Sequence, residues 1–85
     1  MLEQPIEILN TEQAIIEKIK NQTNCKFIKD LWSLSPKEIC NQLGLNKNEI
    51  EMLLVTMKEI AIKQDSIRYI KYIEQCEIIF NRGFK

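Results

Sequence analysis

Histidine is absent from this chain of 85 residues. Its absence removes nucleophiles activated by histidine and most catalytic zinc sites. Cysteine is sparse: Cys25, Cys40 and Cys76 lie far apart, without the Cys-x-x-Cys pair that seeds a structural zinc site. Their odd number favours free thiols. Aspartate occurs only as Asp30 and Asp65, and glycine only as Gly44 and Gly83, so no glycine-rich phosphate loop exists. Together these gaps argue against an enzyme and imply neither a metal nor another cofactor. No apolar run approaches the roughly 20 residues of a membrane span, so no membrane contact is expected. Met1-Leu-Glu-Gln-Pro5 has neither the basic charge nor the apolar block of a secretory signal. With free thiols, this predicts a reduced, cytoplasmic setting. No repeat, linker or low-complexity stretch divides the chain, so one domain over 1–85 is expected.

The composition is that of a globular chain: 45% hydrophobic and 28% charged, with a formal net charge of zero. Zero net charge weighs weakly against a nucleic-acid role. The charge is unevenly distributed, however. The first 17 residues hold Glu3, Glu7, Glu12 and Glu17 and no base. Residues 18–47 hold Lys18, Lys20, Lys26, Lys29, Lys37 and Lys47 against Asp30 and Glu38. Such a basic middle could face phosphate. A solvated lysine surface is the commoner explanation.

Apolar periodicity predicts an all-α domain of four or five helices. Residues 1–9 read as extended, since Pro5 disfavours helix at Gln4. Asn10 is placed to cap a first helix with Ile15, Ile16 and Ile19 inward. A short helix from about Cys25 to Ser33 would bury Phe27, Ile28, Leu31 and Trp32 on one face, which makes Trp32 core rather than a platform for bases. Pro36 to Leu43 forms the next helix, with Ile39, Cys40 and Leu43 inward. A longer one starts at Lys47 and buries Ile50, Leu53, Leu54, Met57, Ile60 and Ala61. Asp65 or Ser66 would cap the last, which ends near Asn81-Arg-Gly83. A strand at Ile67–Ile70 is the rival, because that stretch is rich in strand formers.

The most specific local signal spans Leu34 to Leu53. Ser35, Pro36 and Glu38 make a Ser-x-x-Glu capping box with proline at the first helical position. Asn46 and Glu49 repeat the pattern ten or so residues later. Gly44, between them, suits a left-handed helix end. Two short helices across a tight turn form a helix-hairpin-helix or a helix-turn-helix, shapes that often present a surface to DNA.

Residues 2–62 resemble the C-terminal domain of the bacterial RNA polymerase alpha subunit. Leu2-Glu-Gln-Pro-Ile-Glu-Ile-Leu9 is similar to the acidic lead-in of that family, and Phe27-Ile-Lys-Asp-Leu31 to its Thr-Val-x-Asp-Leu segment. Leu34-Ser-Pro-Lys-Glu-Ile39 matches its short capped helix, Leu45-Asn-Lys-Asn48 its Leu-Gly-Lys-Lys turn, and Glu59-Ile-Ala-Ile62 its closing Glu-x-Gly-Leu. The resemblance implies a helix-hairpin-helix that binds the DNA minor groove and activator proteins. Expected partners are then duplex DNA and RNA polymerase or a transcription factor. The family's contact residues carry over unevenly. Its arginine falls on Ala14 and its asparagine on Glu17, while Lys20 keeps a lysine. Asn46 stands for the turn glycine, Lys47 matches a basic residue, Asn48 replaces another, and Glu49 replaces a serine. Residues 63–85 have no counterpart.

The expected DNA-binding residues are therefore Lys20, Asn46, Lys47 and Asn48, with Lys18 in support. In an ordinary helix-turn-helix, Lys47–Met57 is the recognition helix, with Asn48 facing adenine and Lys47 phosphate. Glu49, Glu51 and Glu59 on that helix oppose such a contact. The alternative function is a protein-interaction adaptor without nucleic-acid binding. The unusually apolar last helix suggests it: if residues 1–62 close a core alone, Tyr69, Ile73, Cys76 and Phe80 are left to form a homodimer contact.

Overall fold

A computed structural model describes residues 2–83. The domain is all-α. A 3-10 turn at Ile6–Ile8 precedes α1 (Gln13–Gln22), and a second at Ile28–Ser33 precedes α2 (Pro36–Asn41). Then come α3 (Lys47–Lys63) and α4 (Ile67–Gly83). Among the described residues there is no strand, only one isolated antiparallel bridge between Pro5 and Phe27.

The N-terminal segment is extended only in part. The Ile6 N–H donates to the Lys26 carbonyl at 2.9 Å, and the Ile28 N–H to the Gln4 carbonyl at 2.9 Å. Tied in this way, the arm turns at Ile6–Ile8 and buries Ile6 and Leu9. Asn10 does not cap α1, whose N-cap is Glu12 without a side-chain bond. The Asn10 carbonyl instead accepts from the Thr56 hydroxyl at 3.1 Å, pinning the arm to α3.

The helix expected from Cys25 is shorter and tighter than its periodicity suggests. The Asp30 carboxylate accepts from the N–H groups of Lys26 and Phe27 at 2.9 and 3.0 Å, which holds residues 26 and 27 outside the helix. Those two bonds also hold the Asp30 carboxyl below its usual range. Ile28 and Leu31 are buried, but Phe27 is exposed beneath the Lys29 ammonium, 5.9 Å from the ring centre. Trp32 packs on the core, its ring stacked on Tyr69 with centroids 4.7 Å apart.

α3 buries Ile50, Leu53, Leu54, Met57, Ile60 and Ala61, all six of the positions its period marks. It ends in a Schellman motif. Asp65 is left-handed at φ +50°, its N–H donates to the Ile62 carbonyl, and the Ser66 N–H donates to that of Ala61. The Ser66 hydroxyl then accepts from the Tyr69 N–H at 3.3 Å and starts α4. Ile67–Ile70 is thus the first turn of a helix and not a strand.

α4 corrects a sequence expectation. It packs along both α2 and α3, and Ile73, Cys76 and Phe80 join one core cluster that begins at Ile6. The Tyr72 hydroxyl donates to the Leu34 carbonyl, and Lys58 of α3 lies 3.7 Å from Glu77 of α4. Residues 1–62 therefore do not close a core alone. Without α4, the inner sides of α2 and α3 would lie open to water.

Candidate functional site

The turn between α2 and α3 has the local chemistry expected of it. The Ser35 hydroxyl accepts from the Glu38 N–H at 3.2 Å, and the Glu38 carboxylate accepts from the Ser35 N–H at 3.0 Å. α2 stops at Asn41, and Gly44 takes the left-handed conformation at φ +71°. Leu43 and Leu45 on either side of it are buried, so the turn is anchored by apolar side chains. Asn46 then caps α3: its amide oxygen accepts from the Glu49 N–H, and Glu49 accepts from the Asn46 N–H, both at 2.9 Å. Asn46 itself is extended (φ −81°, ψ 176°), so the left-handed residue of this turn is Gly44 and not Asn46.

Glu49 does more than close the capping box. Its carboxylate also receives the Lys18 ammonium at 2.8 and 3.1 Å, joining α1 to the start of α3. The Glu49 side chain is only 12% exposed and that of Lys18 42%. The Lys18 ammonium, and after it the Asn46 N–H, hold the Glu49 carboxyl below its usual range. Lys20 is paired as well, with Glu7 of the N-terminal turn at 2.7 Å, and it lowers that carboxyl in turn.

The five residues expected to contact DNA therefore divide. Lys18 and Lys20 are held in ion pairs, and the Asn46 side chain is used by its own helix. Lys47 and Asn48 are exposed at the start of α3, and among the described residues neither has a side-chain hydrogen bond or an ion pair. Lys26, Lys29 and Lys37 are also outside ion pairs among the described residues. The Glu49–Lys18 pair, 31 positions apart, had no local signal in the sequence.

The residues expected to hold a partner are placed differently again. Ile73 and Cys76 are fully buried, Phe80 is buried, and Tyr69 is half-buried under Trp32. The dimer contact expected through these four residues is not available in this fold, because three of them are spent inside the monomer. The Cys40 thiol donates to the Cys76 carbonyl at 3.4 Å, and burial pushes the Cys76 thiol up to about 12.

Among the described residues, no three histidine, cysteine, aspartate or glutamate side chains converge to hold a metal. No described helix is long and apolar enough to cross a membrane. Comparisons with protein-family models, with known proteins and with solved structures return no match.

Proposed function

We propose that the chain is a small transcription-associated module that touches duplex DNA weakly through its hairpin and relies on a protein partner for affinity. The observation that carries this reading is the double-capped hairpin about Gly44, which leaves Lys47 and Asn48 exposed at the first turn of a 17-residue helix. The resemblance of residues 2–62 to the polymerase alpha C-terminal domain points the same way.

The ion pairs explain why the contact is weak. Each phosphate neutralised contributes about 0.9 to the slope of affinity against salt on a double-logarithmic scale. Lys18 and Lys20 spend their charge on Glu49 and Glu7. Lys26, Lys29, Lys37 and Lys47 remain in the basic stretch, so the slope is at most about 3–4. Glu49 also places a carboxylate at the end of α3 where a phosphate would sit. A site of this kind holds DNA only when something else brings the two together.

Fluorescence anisotropy with a labelled duplex, over a salt series from low to moderate concentration, tests the reading. Binding at low salt is expected, with a slope no greater than about 4 and reduced by about one in Lys47→Ala. No binding at low salt would remove DNA from the function. A slope unchanged by Lys47→Ala would remove the hairpin from the interface.

A further inference from the structure

α3 is apolar on two opposite faces. Its inner face is the core stripe from Ile50 to Ala61. On the outer face Met52 is 39% exposed, Val55 60% and Ile62 59%. At about 100° per residue, Met52, Val55, Glu59 and Ile62 lie within about 80° of one another, and their centre is opposite the core stripe. Ile8 of the N-terminal turn, 53% exposed, stands on the far side of a shallow groove. Asn10, Thr56 and Glu59 line two adjoining hollows, one bordered by Ile8 and the other by Met52 and Val55. Among the described residues, nothing covers them.

Lys63 lines the Ile8 end of the rim, and the charge at the Met52–Val55 end is acidic. Glu51 and Glu59 border the Met52–Val55 end, and no base lines that end. Among the described residues, neither carboxylate has an ion pair. They lie eight positions apart on one helix, about 12 Å along its axis. Two unneutralised carboxylates beside exposed aliphatic side chains repel nucleic acid. They disfavour a second copy as well: an antiparallel two-fold pairing of α3 about Val55 sets Glu51 of one copy opposite Glu59 of the other. The complementary surface is an amphipathic helix with an apolar stripe and Lys or Arg on its margin, spaced about two turns apart.

We infer that the outer face of α3, with the groove toward Ile8, is the docking site for a basic amphipathic helix of a partner protein. Val55 and Met52 meet its apolar stripe, and Glu51 and Glu59 meet its bases. Asn48 lies one turn before Met52 on the same face, and Lys47 one turn before Glu51, so this surface adjoins the start of α3.

A displayed library of 18-residue amphipathic helices tests it, with a constant leucine stripe and the flanking positions varied among Lys, Arg, Gln and Glu. Selection on the full chain is expected to enrich Lys or Arg at two flanking positions seven or eight residues apart. The synthetic winner, measured by anisotropy, should bind at least tenfold more weakly to Val55→Asp and to the double variant Glu51→Lys, Glu59→Lys. A winner resynthesised with Glu for its bases should prefer that double variant. Amide shifts should fall on Ile8, Met52, Val55 and Glu59. Val55 is exposed, so Val55→Asp should keep the wild-type circular dichroism. Enrichment that is equal on Val55→Asp, enrichment of Glu at the flanks, or shifts confined to the α2–α3 turn would overturn the proposal. So would a concentration-dependent dimer that Val55→Asp abolishes, which would give this face to a second copy.

Discussion

Ile73→Ala asks directly whether α4 belongs to the core or to an interface. Ile73 is fully buried between α4 and the rest of the core. The substitution removes three carbon groups, and at about 0.8 kcal/mol each the lost transfer energy is about 2.4 kcal/mol. The cavity left behind adds to this, and truncations of this kind cost about 2–5 kcal/mol. A loss of about 3 kcal/mol is expected. A domain of 85 residues, at about 0.05–0.15 kcal/mol per residue, is stable by roughly 4–13 kcal/mol. The variant should therefore stay folded at room temperature or lie close to its limit. Its Tm should fall by about 12–24 °C, at about 4–8 °C per kcal/mol for a domain of this size. Urea unfolding followed by circular dichroism is the assay. The midpoint should drop with little change of slope, because the surface exposed on unfolding is nearly the same. A loss under about 1 kcal/mol would refute the tight packing of this site. A wild-type Tm that rises with protein concentration, and no longer does so in Ile73→Ala, would refute its intramolecular role.

Gly44→Val should destabilise the domain by about 1–2 kcal/mol; the whole effect is backbone strain at φ +71°, since no atom lies within 4 Å of an added Cβ, and Gly44→Asn should recover much of it in the same melt. Asp65→Gly should raise stability by about 0.5–1 kcal/mol in urea unfolding, because the left-handed position at φ +50° suits glycine better. Glu49 has a lowered pKa when folded, so its contribution is present above the ordinary value of 4.5 and is lost as pH falls through the folded value. Melts of Glu49→Gln between pH 7 and pH 3 should consequently show a flatter acid limb than the wild type, and identical limbs would deny the Lys18–Glu49 bond. Burial raises the pKa of all three thiols, above all Cys76; native protein at pH 8 should react with a thiol reagent far more slowly than protein in urea, and prompt reaction of Cys76 would show that α4 opens readily.

The two caps and the turn between α2 and α3 are legible in the amino-acid sequence because their signals are local. A capping box places donor and acceptor three residues apart, and a left-handed helix end asks for glycine at one position. Ser35, Glu38, Gly44, Asn46 and Glu49 all do what their spacing implies. The inner faces of α1 and α3 are legible for the same reason, since burial repeats with the helical period. Periodicity misleads at Phe27, where Asp30 draws two backbone N–H groups out of the helix and turns the ring to solvent.

The remaining decisions belong to the tertiary structure. Whether Ile73 and Cys76 face a second chain or their own core depends on which helices α4 meets, and an apolar helix reads alike in both cases. The fates of Lys18 and Lys20 depend on carboxylates brought up by other elements, Glu49 and Glu7, so a lysine count cannot separate free charges from spent ones. The groove beside Val55 exists because Asn10 and Thr56 pin the N-terminal arm along α3. Amino-acid order sets what each residue can do within a turn or two of chain. Which side chains are left facing solvent, and with which neighbours, is settled only when distant segments close over one another.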